Sequence, residues 1–251
     1  MCLILVAWRG HPDYPCVVAA NRDEFHSRPA ERAHWWKDAR VLAGRDVSAG
    51  GTWLGITREG RFAALTNHRN GVRRDDAPSR GALVADILRS RDSVAKVLDH
   101  LREVGPGYNS FNVIFSDGER LAVYESAVGA GRELAPGIYG LSNHLLDTPW
   151  PKVVNAKSAL SNALTLLPDT RAALALLRDD RPAPEELVPR TGLNREWERL
   201  LSSAFIRAPD YGTRCSTLIS IDRGGMVDFE EWTWDAGGAE QGRVSYRFNI
   251  D

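Results

Sequence analysis

The second residue of the chain is a cysteine, and its type and position together suggest covalent chemistry. An initiator methionine is commonly removed ahead of a small residue. Removal of Met1 would leave a thiol and a free α-amine on Cys2, and an α-amine titrates at about 7.7 to 8.0, so near neutral pH it can take the thiol proton. The nucleophile would then carry its own base. The opposing reading is a small apolar residue opening a buried strand, and position alone favours it. A second cluster changes the balance: Asn21, Arg22, Asp23 and Glu24 form an unbroken polar run directly after an apolar segment. Asp23 could hold an ammonium at the amino terminus, and Arg22 would favour the thiolate of Cys2, because a nearby cation lowers a thiol pKa. Taken alone, an exposed charged turn explains the same run.

Such groups need rigid elements to position them, and the apolar pattern supplies these. Leu3 to Trp8, Cys16 to Ala20, Val41 to Ala43, Trp53 to Thr57 and Phe62 to Thr66 are short apolar runs separated by Gly, Pro, Asp and Asn, as strands are. From Arg80 the period changes: Leu83, Val84, Ile87 and Leu88, then Val94, Val97, Leu98 and Leu101, fall on helix faces. Phe111 to Phe115, Leu121 to Tyr124 and Ile138 to Leu141 return to strand character. A long helix through Val153, Ala156, Leu160, Leu164 and Leu167 is announced by Pro149 and Pro151. Leu174 and Leu177, then Trp197, Leu200 and Leu201, suggest two more helices around the loop Arg181 to Gly192. Cys215 to Ile221, Met226 to Trp234 and Val244 to Ile250 close the chain as strands. No repeat or linker divides it, so one α+β domain over 1–251, with layered sheets and helices outside, is expected.

Composition narrows the partners. The 251 residues are 43% hydrophobic and 26% charged, which fits a soluble globular chain. Lys plus Arg number 32 against 33 Asp plus Glu, so the basic excess of a nucleic-acid binder is missing. Cys2, Cys16 and Cys215 are too few and scattered for a disulfide framework and offer no metal knuckle, which points to a reduced, cytoplasmic setting. The apolar start lacks a basic flank and ends at Arg9, and no later run approaches the roughly 18 residues of an integral membrane segment. His11, His26, His34, His68, His100 and His144 show no paired metal spacing, and no Walker loop, GxGxxG or GxSxG occurs. No metal and no cofactor are expected.

The motifs Cys2 after Met1, Asn21-Arg22-Asp23-Glu24, Ala43-Gly44-Arg45-Asp46, Gly50-Gly51-Thr52-Trp53-Leu54-Gly55, Thr66-Asn67, Phe111-Asn112, Gly140-Leu141-Ser142-Asn143 and Tyr211-Gly212-Thr213-Arg214 run nearly the length of the chain. In this order they resemble the NRDE, or Transport and Golgi organization protein 2, family. That resemblance implies an N-terminal-nucleophile hydrolase type of fold, a four-layer αββα sandwich with Cys2 opening a central strand. A more distant similarity is to bile salt hydrolases and penicillin V acylases, amidases whose nucleophile is a cysteine exposed by methionine removal. It implies that Cys2 is the nucleophile, Asp23 the acid near the new terminus, Asn67 and Asn143 the oxyanion-side asparagines, and Arg214 the late arginine of the site. Asparagine amides suit an oxyanion because they donate without adding charge. Arg22 sits immediately before Asp23, which departs from the amidase spacing and leaves Arg22 and Arg214 as alternative cations of the site. All five carried-over residues are expected on one pocket.

Arg22, Trp53, His68 and His144 are expected to line the substrate pocket, the two histidines because each follows one of the asparagines. Gly50, Gly51 and Gly55 would serve either a ligand close to backbone or a tight hairpin with a packed Trp53. Arg69, Arg73, Arg74 and Arg80 surround Asp75 and Asp76; a solvated loop accounts for them, as would an anionic ligand such as a coenzyme A phosphate. Two functional classes follow: an acyl hydrolase or acyltransferase acting on an amide or thioester, or a non-catalytic carrier of a hydrophobic anion. The resemblance extends to the second class, the family having been linked to haem trafficking and acyl-CoA metabolism.

Overall fold

Strand β1 (Cys2–Trp8) is buried at every position, as its unbroken apolar run requires. A computed structural model of the protein describes residues 2–37, 40–69 and 74–251. In chain order β1 is followed by β2 (Cys16–Phe25), β3 (Ala30–Trp35), β4 (Val41–Asp46), β5 (Leu54–Thr57) and β6 (Phe62–Asn67). Then come α1 (Gly81–Arg89), α2 (Val94–Val104), β7 (Phe111–Ser116), β8 (Leu121–Glu125), β9 (Ala130–Leu134), β10 (Gly137–Leu141), α3 (Pro151–Leu164), α4 (Arg171–Leu177) and α5 (Arg195–Leu200). Strands β11 (Tyr211–Ile221), β12 (Met226–Trp234) and β13 (Glu240–Asn249) close the chain.

The strands form two antiparallel sheets, one ordered β10-β1-β2-β11-β12-β13 and the other β3-β4-β5-β6-β7-β8-β9. With the five α-helices among the described residues, this is the expected α+β class. Strand β1 lies one place in from the β10 edge rather than at the sheet's centre, because the late strands extend the sheet only on the β2 side.

Side-chain alternation explains how the sheets are covered. Ile4, Val6, Trp8, Cys16, Val18 and Ala20 share one apolar cluster with Leu42, Ile56, Phe62, Ala64 and Ile114 of the other sheet. The intervening residues Leu3, Leu5, Ala7, Val17 and Ala19 pack on Val153, Ala156 and Leu160 of α3 and Leu176 and Leu177 of α4. Val41, Ala43, Ala63, Leu65, Val113 and Phe115 pack on Leu83, Val84 and Leu88 of α1 and on Val97, Leu98 and Leu101 of α2. Burying one such side chain contributes roughly 1.5–3 kcal/mol against about 0–1 kcal/mol for a surface ion pair. These clusters, rather than exposed ion pairs, therefore hold the scaffold.

The glycines around Trp53 are explained by packing. A Cβ on Gly51 would stand 2.4 Å from the carbonyl carbon of Gly81, and a Cβ on Gly55 2.8 Å from both Ala43 Cβ and Leu88 Cδ1. Gly50 sits in the left-handed region at φ 74°. Close approach to Gly81 lets the Thr52 N–H donate to the Gly81 carbonyl at 3.1 Å, tying the turn before β5 to the start of α1. Gly51→Ala is therefore expected to destabilise the protein by about 1–3 kcal/mol, since the obstacle is backbone and cannot rotate away. Chemical denaturation measures this; an unchanged midpoint would show that α1 can shift.

Candidate active site

The register of the first sheet builds the site. Cys2 pairs with Arg22 across β1 and β2, Arg22 with Cys215 across β2 and β11, and Cys215 with Thr233 across β11 and β12. Directly opposed residues in antiparallel strands project to the same face, and here it is the face toward the second sheet, where Cys16, Val18 and Ala20 point. The row Cys2, Arg22, Cys215, Thr233 thus lies along one end of the space between the sheets. With one strand between them, Cys2 and Cys215 are about 10 Å apart, beyond the roughly 7 Å that a disulfide spans. All three cysteines are free and buried.

This row opens on a cavity of about 550 Å³, lined also by Asp23, Trp53, Asn67, Arg214 and Glu231. Arg22 is buried, with a side chain 10% exposed. Its Nη2 lies 3.5 Å from Asp46 Oδ2, while Nη1 is buried without a hydrogen-bond partner. Burial pushes the Cys2 thiol up and the Asp23 charge adds to that, while the Asp23 backbone N–H and the Arg22 guanidinium pull it back.

Alternation sends Asp23 the other way. Its neighbour on that face, Asn21, donates through Nδ2 to the carbonyls of Leu177 and Ala204, on the helical side of the sheet. Asp23 Oδ1 accepts from Thr213 Oγ1 at 2.7 Å, and Tyr211 OH donates to the Asp23 carbonyl. The carboxyl therefore stands across the backbone from the thiol, the side from which an acid can serve the amino end of β1. Burial raises its pKa, opposed by the Lys152 ammonium and the Thr213 hydrogen bond.

Arg214 occupies a bulge, since the β2–β11 register shifts between Thr213 and Cys215. Its Nη1 donates to the carbonyls of Phe25 and Arg28, so it ties down the chain leaving β2 while lining the cavity.

Three expected lining residues are not on the cavity. Asn143 is fully buried; its Nδ2 donates to the Asn67 carbonyl at 2.8 Å and its Oδ1 accepts from Ser142 Oγ, which also donates to the Cys2 carbonyl. It braces Asn67 and the start of β1 rather than facing the cavity. His68 and His144 lie against each other with tilted rings, centroids 5.1 Å apart, and His144 meets Thr148 Oγ1 through Nδ1. Burial lowers the His68 pKa, and the neighbouring His144 adds to that.

The arginine loop divides. Arg69 is no solvated residue: Nη1 lies 2.7 Å from Glu198 Oε2, the side chains being 9% and 2% exposed. Arg74 donates to the carbonyls of Pro106 and Tyr108 and Arg80 to that of Ser110, and both line the cavity; Arg73 lies outside the described residues.

Several buried charged residues escaped the sequence analysis, among them Glu231 and Lys152. Glu231 lines the cavity beside Cys215, accepting from the Ala33 N–H and from Thr217 Oγ1. Burial raises its pKa. Lys152 is 5% exposed and donates from Nζ to the Leu201 carbonyl at 2.9 Å. Each occupies an apolar stripe, Glu231 two residues after Phe229 and Lys152 four before Ala156, and a charge in such a stripe is the signal that marks it. Among the described residues, no group of three or more His, Cys, Asp or Glu could hold a metal ion. No described helix is long and apolar enough to cross a membrane.

Fold and site together define an α+β protein of two antiparallel sheets whose first strand carries a cysteine to an arginine-lined cavity. Residues 1–236 match the family model described as Transport and Golgi organisation 2. The chain belongs to the Transport and Golgi organisation 2 family. It is 38% identical to the Transport and Golgi organization protein 2 homolog of Bos taurus, with 92% of each chain covered. Among solved structures it is similar to a Caenorhabditis elegans N-acylethanolamine-hydrolyzing acid amidase ortholog, with 11% identity over 87% of this chain and 92% of that one and a TM-score of 0.48. A mutant conjugated bile acid hydrolase from Clostridium perfringens shows 12% identity over 100% and 98% of the two chains, with a TM-score of 0.46.

Proposed function

We propose that the protein is an acyl hydrolase or acyltransferase that uses the Cys2 thiol as nucleophile, on an amide or thioester, once Met1 is removed. The observation that carries this reading is the cross-strand row that sets Cys2 beside the partly unpartnered Arg22 guanidinium at the cavity. In this mechanism the α-amine of Cys2 takes the thiol proton and the thiolate attacks the carbonyl carbon. Asn67, held by Asn143, stabilises the oxyanion. The protonated amine, held by Asp23, gives its proton to the leaving amine or thiol. Water or an acceptor, deprotonated by the same amine, then attacks the thioester and frees Cys2. The four-layer αββα arrangement belongs to the same proposal, and the succession of three apolar clusters supports it. So does a reducing, cytoplasmic setting, which suits three free thiols.

With Met1 attached, the Cys2 nitrogen is a peptide amide and cannot act as a base. Processed protein is therefore expected to react with a thiol electrophile at pH 7 roughly a hundredfold faster than a Met1-retaining form, the usual order of general-base assistance. Intact mass establishes the mature terminus; alkylation rates and turnover on acyl-thioester and acyl-amide panels then test the reading. A carrier of a hydrophobic anion, haem or acyl-CoA, is the second reading, favoured by Arg28, Arg45, Arg74 and Arg80 on the same cavity, whose volume suits a small molecule. Equal reactivity of the two forms, no turnover, and retention of haem or acyl-CoA by Cys2→Ser would select it.

A further inference from the structure

Lys152 is a buried ammonium for which the acyl-transfer steps have no use. Its place follows from α3, where Lys152, Ala156, Leu160 and Ala163 fall on the stripe packed against the first sheet. Pro151 opens the helix, so Lys152 sits in its first turn, next to Val153, which packs with Leu3, Leu5 and Ala19. Asn21 and Asp23 continue the helical face of β2 beyond Ala19. The buried lysine and the buried acid thus belong to the same layer, between β2 and the helices. Desolvation lowers the Lys152 pKa to about 8, and Asp23 opposes that fall.

We propose that Lys152 is a positioning residue, the buried counter-ion that keeps the Asp23 carboxylate ionised and held toward the amino end of β1. The inference rests on the reading of Asp23 as the acid that serves the Cys2 amino group. The lysine has one neutral anchor, the Leu201 carbonyl, which fixes Nζ without competing for its charge. The other charged or titratable groups around the pair are the chain's amino-terminal charge, Cys2, Arg22, Tyr211 and Arg69. Arg69 is engaged with Glu198 and Arg22 projects to the opposite face, so among the described residues Lys152 is the side-chain cation that bears on Asp23 from its own face of the sheet.

The test compares Lys152→Met, Lys152→Arg, Asp23→Asn and the double variant Asp23→Asn/Lys152→Met by thermal denaturation across pH. An acid whose folded pKa exceeds its unfolded value loses stability as pH rises toward the folded pKa. Removing the lysine raises the Asp23 pKa further, so that loss extends to higher pH. The stability gap between wild type and Lys152→Met is therefore expected to widen as pH rises above the ordinary carboxylate range, until Lys152 itself titrates at about 8. Lys152→Arg is expected to narrow it, and in the Asp23→Asn background the widening disappears. If Lys152→Met alone does not fold, recovery of folding in the double variant supports the inference, and a double variant that also fails to fold overturns it. In processed protein, Cys2 alkylation at pH 7 is expected to slow about tenfold in Lys152→Met, and to recover in Lys152→Arg. A gap that is constant with pH and identical in both Asp23 backgrounds assigns Lys152 a purely structural role and overturns the inference. Coupling with no turnover on any acyl substrate supports the inference while overturning the catalytic reading.

Discussion

Cys2→Ser is expected to abolish thioester or amide turnover, by roughly 10³-fold or more, while leaving the fold and ligand retention intact. The two side chains differ by one atom, and the β1 ladder to β2 and β10 involves only backbone, so the strand keeps its register. The reactivity changes because a thiol gives up its proton far more readily than a hydroxyl and its thiolate is intrinsically nucleophilic, whereas a hydroxyl needs far stronger activation. One buried guanidinium and one backbone N–H on Cys2 cannot bridge that gap. The measurement is single-turnover acylation followed by intact mass, with binding of a non-hydrolysable acyl ligand measured alongside. Wild-type turnover in Cys2→Ser would remove Cys2 from the mechanism. Loss of binding together with turnover would mean that the cavity had collapsed and that the variant reports on folding.

The same distinction separates what could be read from the chain from what could not. The buried strands were legible because burial on both faces leaves unbroken apolar runs, as in β1, or clean ones, as in β7 and β8. Strands β3 and β9 were not. They are the two edges of the second sheet, largely exposed, and Ala30 to Trp35 and Ala130 to Leu134 carry charges where an inner strand carries Val or Ile. Strand β2 runs five residues past its apolar part, through Asn21 to Phe25, because hydrogen bonds replace apolar contacts there: Asn21 meets the Leu177 and Ala204 carbonyls and Asp23 meets Thr213. The polar run that suggested a turn is therefore strand, and its alternation sends Arg22 and Asp23 to opposite faces.

In the site, Cys2, Arg22, Trp53, Asn67 and Arg214 line one cavity, and Asp23 borders it while its carboxyl faces the helical side. Asn143 shows where residue type misleads. An asparagine amide that suits an oxyanion suits a backbone carbonyl equally well, and here Asn67 takes it. Lys152 and Glu231 were missed because periodicity was followed through the apolar residues alone. A charge on a core stripe is costly unless paired, so both positions carried a signal that apolar counting passes over.

The largest stability effect is expected well away from the thiol, at Glu198. This carboxylate is 2% exposed, and it accepts from Arg69 at 2.7 Å on one oxygen and from the Thr191 N–H and Oγ1 on the other. Arg69 in turn donates from its backbone to the Asn143 carbonyl and lies over the Trp150 ring at 5.1 Å. Glu198 is thus the point where α5, the loop before it and the segments carrying Asn67 and Asn143 are fastened together. Glu198→Ala leaves the Arg69 guanidinium buried without its carboxylate and removes the acceptor of three further donors, since Leu193 N–H also points to it. The expected cost is about 3–5 kcal/mol, or roughly 6–20 °C in Tm for a chain of this size. Glu198→Gln keeps an acceptor for Thr191 while removing the charge, so a smaller loss is expected and the difference measures the ion pair. Because Asn143 braces Asn67 and the start of β1, Cys2 alkylation should change in Glu198→Ala although Glu198 does not line the cavity. Calorimetry with alkylation kinetics on the same samples tests both parts; an unchanged Tm would mean that water reaches Arg69 and that the clamp is not closed in solution.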